Sequence, residues 1–370
     1  MKRLFITAII LFILSLALTR GTYAIDGYEI IRRQAHAAEV DRLKDSLPGE
    51  AGDILGDLSV MDSLDINRGL SRLMSGVADR LGSILRSGIR DAVLIVLTAI
   101  FCAVITTTFG DRGADYVVLA GVLAIAAISV TSVNSFIGLG RTTLGELESF
   151  SRMLLPTLTG AAATSGALTS AAAKYAATAL FINIIITISN NLIMPLIFAY
   201  IAVSVAEAAT GSAALSGVGD LIKWTARTIL IILVIAFVAY ISLTAVITGT
   251  SDAVAVRAAK VAISTVLPVV GSIIADASET VLVGASVLRN AIGIFGLLSV
   301  LAICLIPFFR LGISYLLFKA AGGISNAITD KRIGGLVNAI GSALGLTLAM
   351  VGAAAMMLYI SIISVIRFSI

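Results

Sequence analysis

Short polar stretches alternate with long apolar runs along this chain, and the length of those runs sets its class. From residue 91 onward about eight apolar segments follow one another, at approximately 92–109, 116–138, 153–173, 176–201, 226–249, 263–286, 291–317 and 337–366. Most hold roughly 20 residues or more, enough for a helix to cross a hydrocarbon layer ~30 Å thick. Backbone polar groups find no partner in lipid, so such runs must be helical. The pattern predicts an all-α polytopic membrane bundle. Segments 153–173 and 263–286 either cross or re-enter: the first is crowded with small residues between Gly160 and Gly166, and the second carries Asp276 and Glu279.

Ahead of the bundle, residues 25–90 are of ordinary polarity, broken at Pro48-Gly49, and predict a small helical extracytoplasmic module. Within it Leu70, Leu73, Val77, Leu81 and Ile84 fall at helical spacing, while Arg72, Arg80, Arg86 and Arg90 lie off that stripe. This is an amphipathic helix leading into the membrane, packed on the rest of the protein or set against a lipid surface or partner. The first residues, Lys2-Arg3, an apolar stretch from Leu4 to Leu18 and Thr22-Tyr23-Ala24, read as a secretory signal, either cleaved or kept as an anchor. The expected organisation is a signal peptide (1–24), the polar module (25–90) and a multispanning domain (91–370). With 25–90 outside, Lys174 falls on the cytoplasmic side, either a snorkelling loop residue or a buried partner for an acid, and Arg289 falls outside.

Composition agrees. At 58% hydrophobic and 13% charged residues, with a mean hydropathy of +1.05, too little polar surface remains to coat a water-soluble globule. The net charge of +4 is spread along the chain without a basic stripe, which argues against a nucleic-acid partner. Cys102 and Cys304 lie inside apolar runs, where a thiol acts as a small hydrophobe, so no disulfide is expected. His36 is the only histidine, leaving no His/Cys metal cluster and no His-dependent triad. Gly322-Gly323 and Gly334-Gly335 lack the Lys-Ser/Thr ending of a phosphate loop. No catalytic residue, metal or cofactor is expected, and the chain reads as a non-enzyme.

Pro156 and Pro268, like Pro195 and Pro307, are separated by 112 residues. At that offset residues 151–258 repeat as 263–370. Three crossings in each unit predict an inverted repeat with a pathway between the copies; coincidence in an Ala- and Gly-rich sequence is the alternative. Asp276 and Glu279 share a helix face and are the leading pathway candidates, since an acid at membrane depth is costly unless functional; hydration near the interface is the other reading. Asn190 and Asn191 precede Pro195, whose missing N–H loosens a helix, so they either line the same path or bridge helices.

The stretch Arg257-Ala258-Ala259-Lys260, Leu267-Pro268-Val269-Val270-Gly271-Ser272, Asp276-Ala277 and Leu288 to Leu298 resembles the stage III sporulation protein AE family, as does Leu154-Leu155-Pro156 with the small residues to Ala173. The resemblance implies a multi-pass component of the mother-cell membrane around the forespore, in a transport or channel complex linking the two cells. It implies other stage III sporulation membrane proteins and an associated ATPase as partners, and no catalytic residues to carry over. Homo-oligomerisation is compatible with this. Two roles remain open: conduction of small solutes along Asp276, Glu279 and the proline-broken helices, or a scaffold that docks other subunits.

Overall fold

The computed structural model describes residues 40–366 apart from 57, 110, 167 and 267–270; of the side chains at 41, 109, 111, 112, 114, 168, 245–266 and 271–282 nothing is described. Two short helices, α1 (Asp41–Asp45) and α2 (Gly49–Leu55), and a 3-10 turn at Asp62–Leu64 form a small cap. Long helices follow: α3 (Ile66–Phe109), α4 (Asp111–Thr164), α5 (Leu168–Ile188), continuing through a π-helical turn (Ser189–Ile193) into α6 (Met194–Thr210), then α7 (Ala213–Val266), α8 (Gly271–Ile328) and α9 (Lys331–Val365). Among the described residues six helical stretches are long and apolar enough to cross a membrane.

Hydropathy suggests about eight apolar segments; one of them, 263–286, falls almost wholly outside the described residues and side chains, and others share a single helix. The charged interval between Arg141 and Arg152 does not end a helix; α4 runs through it and through Pro156, whose side is exposed. Likewise the expected boundary at residue 90 lies inside α3, a 44-residue helix about 66 Å long. Of its predicted stripe Leu73, Val77 and Ile84 are buried and Leu81 is half-buried, while Leu70 is exposed; the buried line continues through Ala92, Ile95, Ala99 and Cys102. The amphipathic half therefore packs on the rest of the protein. The signal-peptide segment lies outside the described residues.

Contacts fix the directions. Ser63 Oγ donates to the Ala291 carbonyl at 3.1 Å, Gly69 lies against Leu298 and Gly88 against Leu317, so α3 and α8 are parallel. Gly121 meets Cys102 and Ser132 Oγ donates to Asp91 Oδ2 at 2.8 Å, so α3 and α4 form an antiparallel hairpin. In the α8–α9 hairpin Gly322 faces Asn338, Gly345 faces Tyr315 and Gly352 faces Phe308. Glycines at positions 334, 341, 345 and 352 keep one seam free of side chains, which lets the backbones approach. Helix α8 is the most enclosed span, 72% of its apolar window being buried.

The offset that relates the prolines does not describe an inverted pair. Lys174 and Thr178 of α5 meet Ser364 and Ser361, and Gly211 beyond α6 meets Arg332, so α5–α6 runs antiparallel to α9. Helix α8 does too, since Tyr359 donates to the Leu297 carbonyl at 3.1 Å and Lys319 to the Asn338 carbonyl at 2.9 Å. The helices of Pro195 and Pro307 thus point the same way. Nor do the ends match: the offset carries the α6 terminus at Thr210 to Gly322, inside α8.

Candidate functional site: polar groups within the membrane bundle

The polar groups that the sequence places at lipid depth sort into three layers. Nearest the cap, Arg289 of α8 is 3% exposed, and its Nη1 donates to Ser165 Oγ at 2.8 Å. Ser165 belongs to the connection between α4 and α5, so the guanidinium pins α8 to that joint. Lys174 Nζ donates to the Ser364 carbonyl, and Thr178 and Ser361 share a hydrogen bond. Lys174 is therefore no loop residue; it lies within α5 and ties it to the end of α9. Arg289 is buried in the bundle, where Ser165, 124 residues away in sequence, accepts from its Nη1.

The middle layer is the π-helical turn. Pro195 offers no N–H and its ring crowds the preceding turn, so the α-helical ladder cannot pass through Asn191 unbroken; instead Met194 N–H reaches back to the Ser189 carbonyl. A widened turn of this kind recurs at functional sites. Ser189 is buried and Asn190 half-buried, and Ser189 Oγ and Asn190 Oδ1 are buried without a hydrogen-bond partner. Asn191 and Pro195 are exposed. The predicted loosening of the helix is present, and the structure separates the two amides: one is turned inward, the other outward.

At the end holding the turns after Phe109, Thr210 and Ile328, Lys319 Nζ donates to the Asn338 carbonyl and, at 2.8 Å, to Ser342 Oγ. This ammonium braces the α8–α9 hairpin. Arg332 Nη2 meets Asp115 Oδ1 at 2.7 Å, clamping the starts of α9 and α4. Pro307 is buried inside α8. Asp276 and Glu279 fall on helical backbone of α8 but their side chains lie outside the described residues, as Pro268 does altogether. Cys102 and Cys304 are buried. Sequence reasoning missed Arg289 and Lys319 as internal braces; a cation bordering an apolar run looks the same whether it meets headgroups or a distant serine.

Long apolar helices, a glycine seam and buried cations bonded to distant helices define a multi-pass α-helical membrane protein. The profile of the stage III sporulation protein AE family matches residues 59–369, and the chain belongs to that family. Stage III sporulation protein AE of Bacillus subtilis (strain 168) is 25% identical over 236 residues, covering 62% of this chain and 59% of that relative, so the match spans less than two thirds of the relative's length. No solved structure matches.

Proposed function

We propose that this chain is a membrane component of a sporulation complex linking mother cell and forespore, and that its own bundle is a sealed, non-enzymatic scaffold. One observation carries the second half: the described part of α8, from 283 on, is enclosed by α3, α4 and α9, and a Cβ added at Gly334, Gly341, Gly345 or Gly352 of α9 would come within 3.4 Å of α8. A water path down the centre needs room between α8 and α9, and such a seam opens only by separating the pair. Transport by the complex then runs between copies or through other subunits. Other stage III sporulation membrane proteins and an associated ATPase are the partners this reading requires.

Conduction through the chain itself is the second reading, favoured by the π-helical turn with its unpartnered Asn190 Oδ1. Asp276 and Glu279 would be its acids. Replacement of both, Asp276→Asn with Glu279→Gln, separates the two. The scaffold reading predicts spore yield within about twofold of wild type with normal abundance and assembly. Loss of spores with assembly intact would establish conduction.

A further inference from the structure

Helix α3 carries, opposite its buried stripe, a face that no part of the described chain covers. Arg68, Asp79, Arg86 and Arg90 are exposed and lie on one line directed away from the core, whereas Arg72, on the same line, is turned to the cap, its Nη1 donating to the Leu55 carbonyl at 2.5 Å. Beside that line Leu70, Met74, Leu85 and Ile89 form an exposed apolar stripe, with Met74 63% exposed. The stripe continues without a break into the exposed Val93, Leu97, Ile100 and Val104 of the membrane half.

We propose that this face is the docking site for one membrane-anchored helix of another protein, whose extramembrane continuation carries Asp or Glu beside an apolar stripe. Lipid alone does not suit the upper half. Leu70 and Met74 stand about 30 and 24 Å along the helix from Arg90, whereas the headgroup layer extends only about 5–8 Å beyond the hydrocarbon. A second copy does not suit it either. Among the exposed charges, an antiparallel copy centred on Asp79 sets Arg68 against Arg90 and Asp79 against Asp79, and a parallel copy also pairs like with like. An acidic helix instead meets arginines on one side and fills the apolar stripe on the other. The continuation of the stripe across residue 90 offers the same helix a path along the membrane half of α3. The inference rests on α3 alone and holds whether or not the bundle conducts.

Photocrosslinking tests it, with p-benzoylphenylalanine at Met74, and separately at Leu85, in the full chain in membranes of sporulating cells. The expected adduct at both positions is a single-pass protein, its crosslinked peptide carrying an acid within one helical turn. Arg68→Glu with Arg86→Glu should cut the yield at least tenfold at unchanged abundance, while Arg86→Lys retains it and reversal of the partner's acids restores it. Adducts with a second copy, with lipid only, or with no partner would overturn the proposal, as would yields indifferent to charge reversal.

Discussion

Gly334 of α9 sits so close to α8 that a Cβ there would come within 2.7 Å of the backbone nitrogen of Asn326. Its neighbour Gly335 has open space at the same position. Two adjacent glycines thus have opposite roles, one a packing requirement and the other a helix weakened by a residue without a side chain. Gly334→Ala is expected to destabilise the protein by about 1–3 kcal/mol through overpacking against backbone. Gly335→Ala should be neutral or stabilise by up to about 1 kcal/mol. Thermal unfolding of the two variants in detergent measures the contrast.

Ser165→Ala removes the acceptor for Arg289 Nη1 without altering the size of the joint. Hydrogen bonds to charged groups are worth about 1.5–3 kcal/mol, and a buried cation keeps its desolvation cost when the partner goes. Stability should fall by about that amount, with proteolysis beginning at the α4–α5 connection. Ser165→Thr, which keeps the hydroxyl, should retain most of it.

Asn190→Leu deletes a buried amide oxygen that has no partner. Such a replacement is expected to be neutral or stabilising by about 1 kcal/mol, and in a scaffold spore yield should not change. A stable but spore-deficient variant would favour the conduction reading.

Outside the membrane, the Ser59 hydroxyl donates to Asp62 Oδ2 at 2.7 Å. That bond, aided by the Ser59 backbone N–H and by Arg68 and Arg72, holds the Asp62 carboxyl below its ordinary value of 3.8, against a smaller opposing effect of burial. A depressed carboxylate stabilises the fold above its unfolded pKa and loses that contribution as pH falls through the folded one. Protection factors of the amides around residues 59–65, taken against the intrinsic exchange rate at each pH, should therefore fall only as pH drops below about 4, and Ser59→Ala should remove this dependence.

The helical membrane class and the stripe of Leu73, Val77 and Ile84 were legible because both are local periodicities. So was the loosened helix before Pro195, since a missing N–H acts within one turn. Helix boundaries were not, because hydropathy reports where lipid touches a helix and not where the helix ends: α4 continues through Arg141, Glu146, Glu148 and Arg152. The braces at Arg289, Lys174 and Lys319 depend on acceptors 124, 190 and 19 to 23 residues away, pairings no local pattern contains. The difference between Gly334 and Gly335 is likewise a property of the facing helix.

Water access to the bundle core tests the sealed-scaffold account most directly. In a chain lacking Cys102 and Cys304, single cysteines replace Ser299 and Thr347, both fully buried, and Ser212 and Thr329 at the turns, each probed with a small water-soluble maleimide in intact and permeabilised sporulating cells. The account predicts reaction at positions 212 and 329 from one side only and protection at 299 and 347 under every condition. Labelling at 299 and 347 while their lipid-facing neighbours stay protected would reveal a water path through the bundle and contradict it.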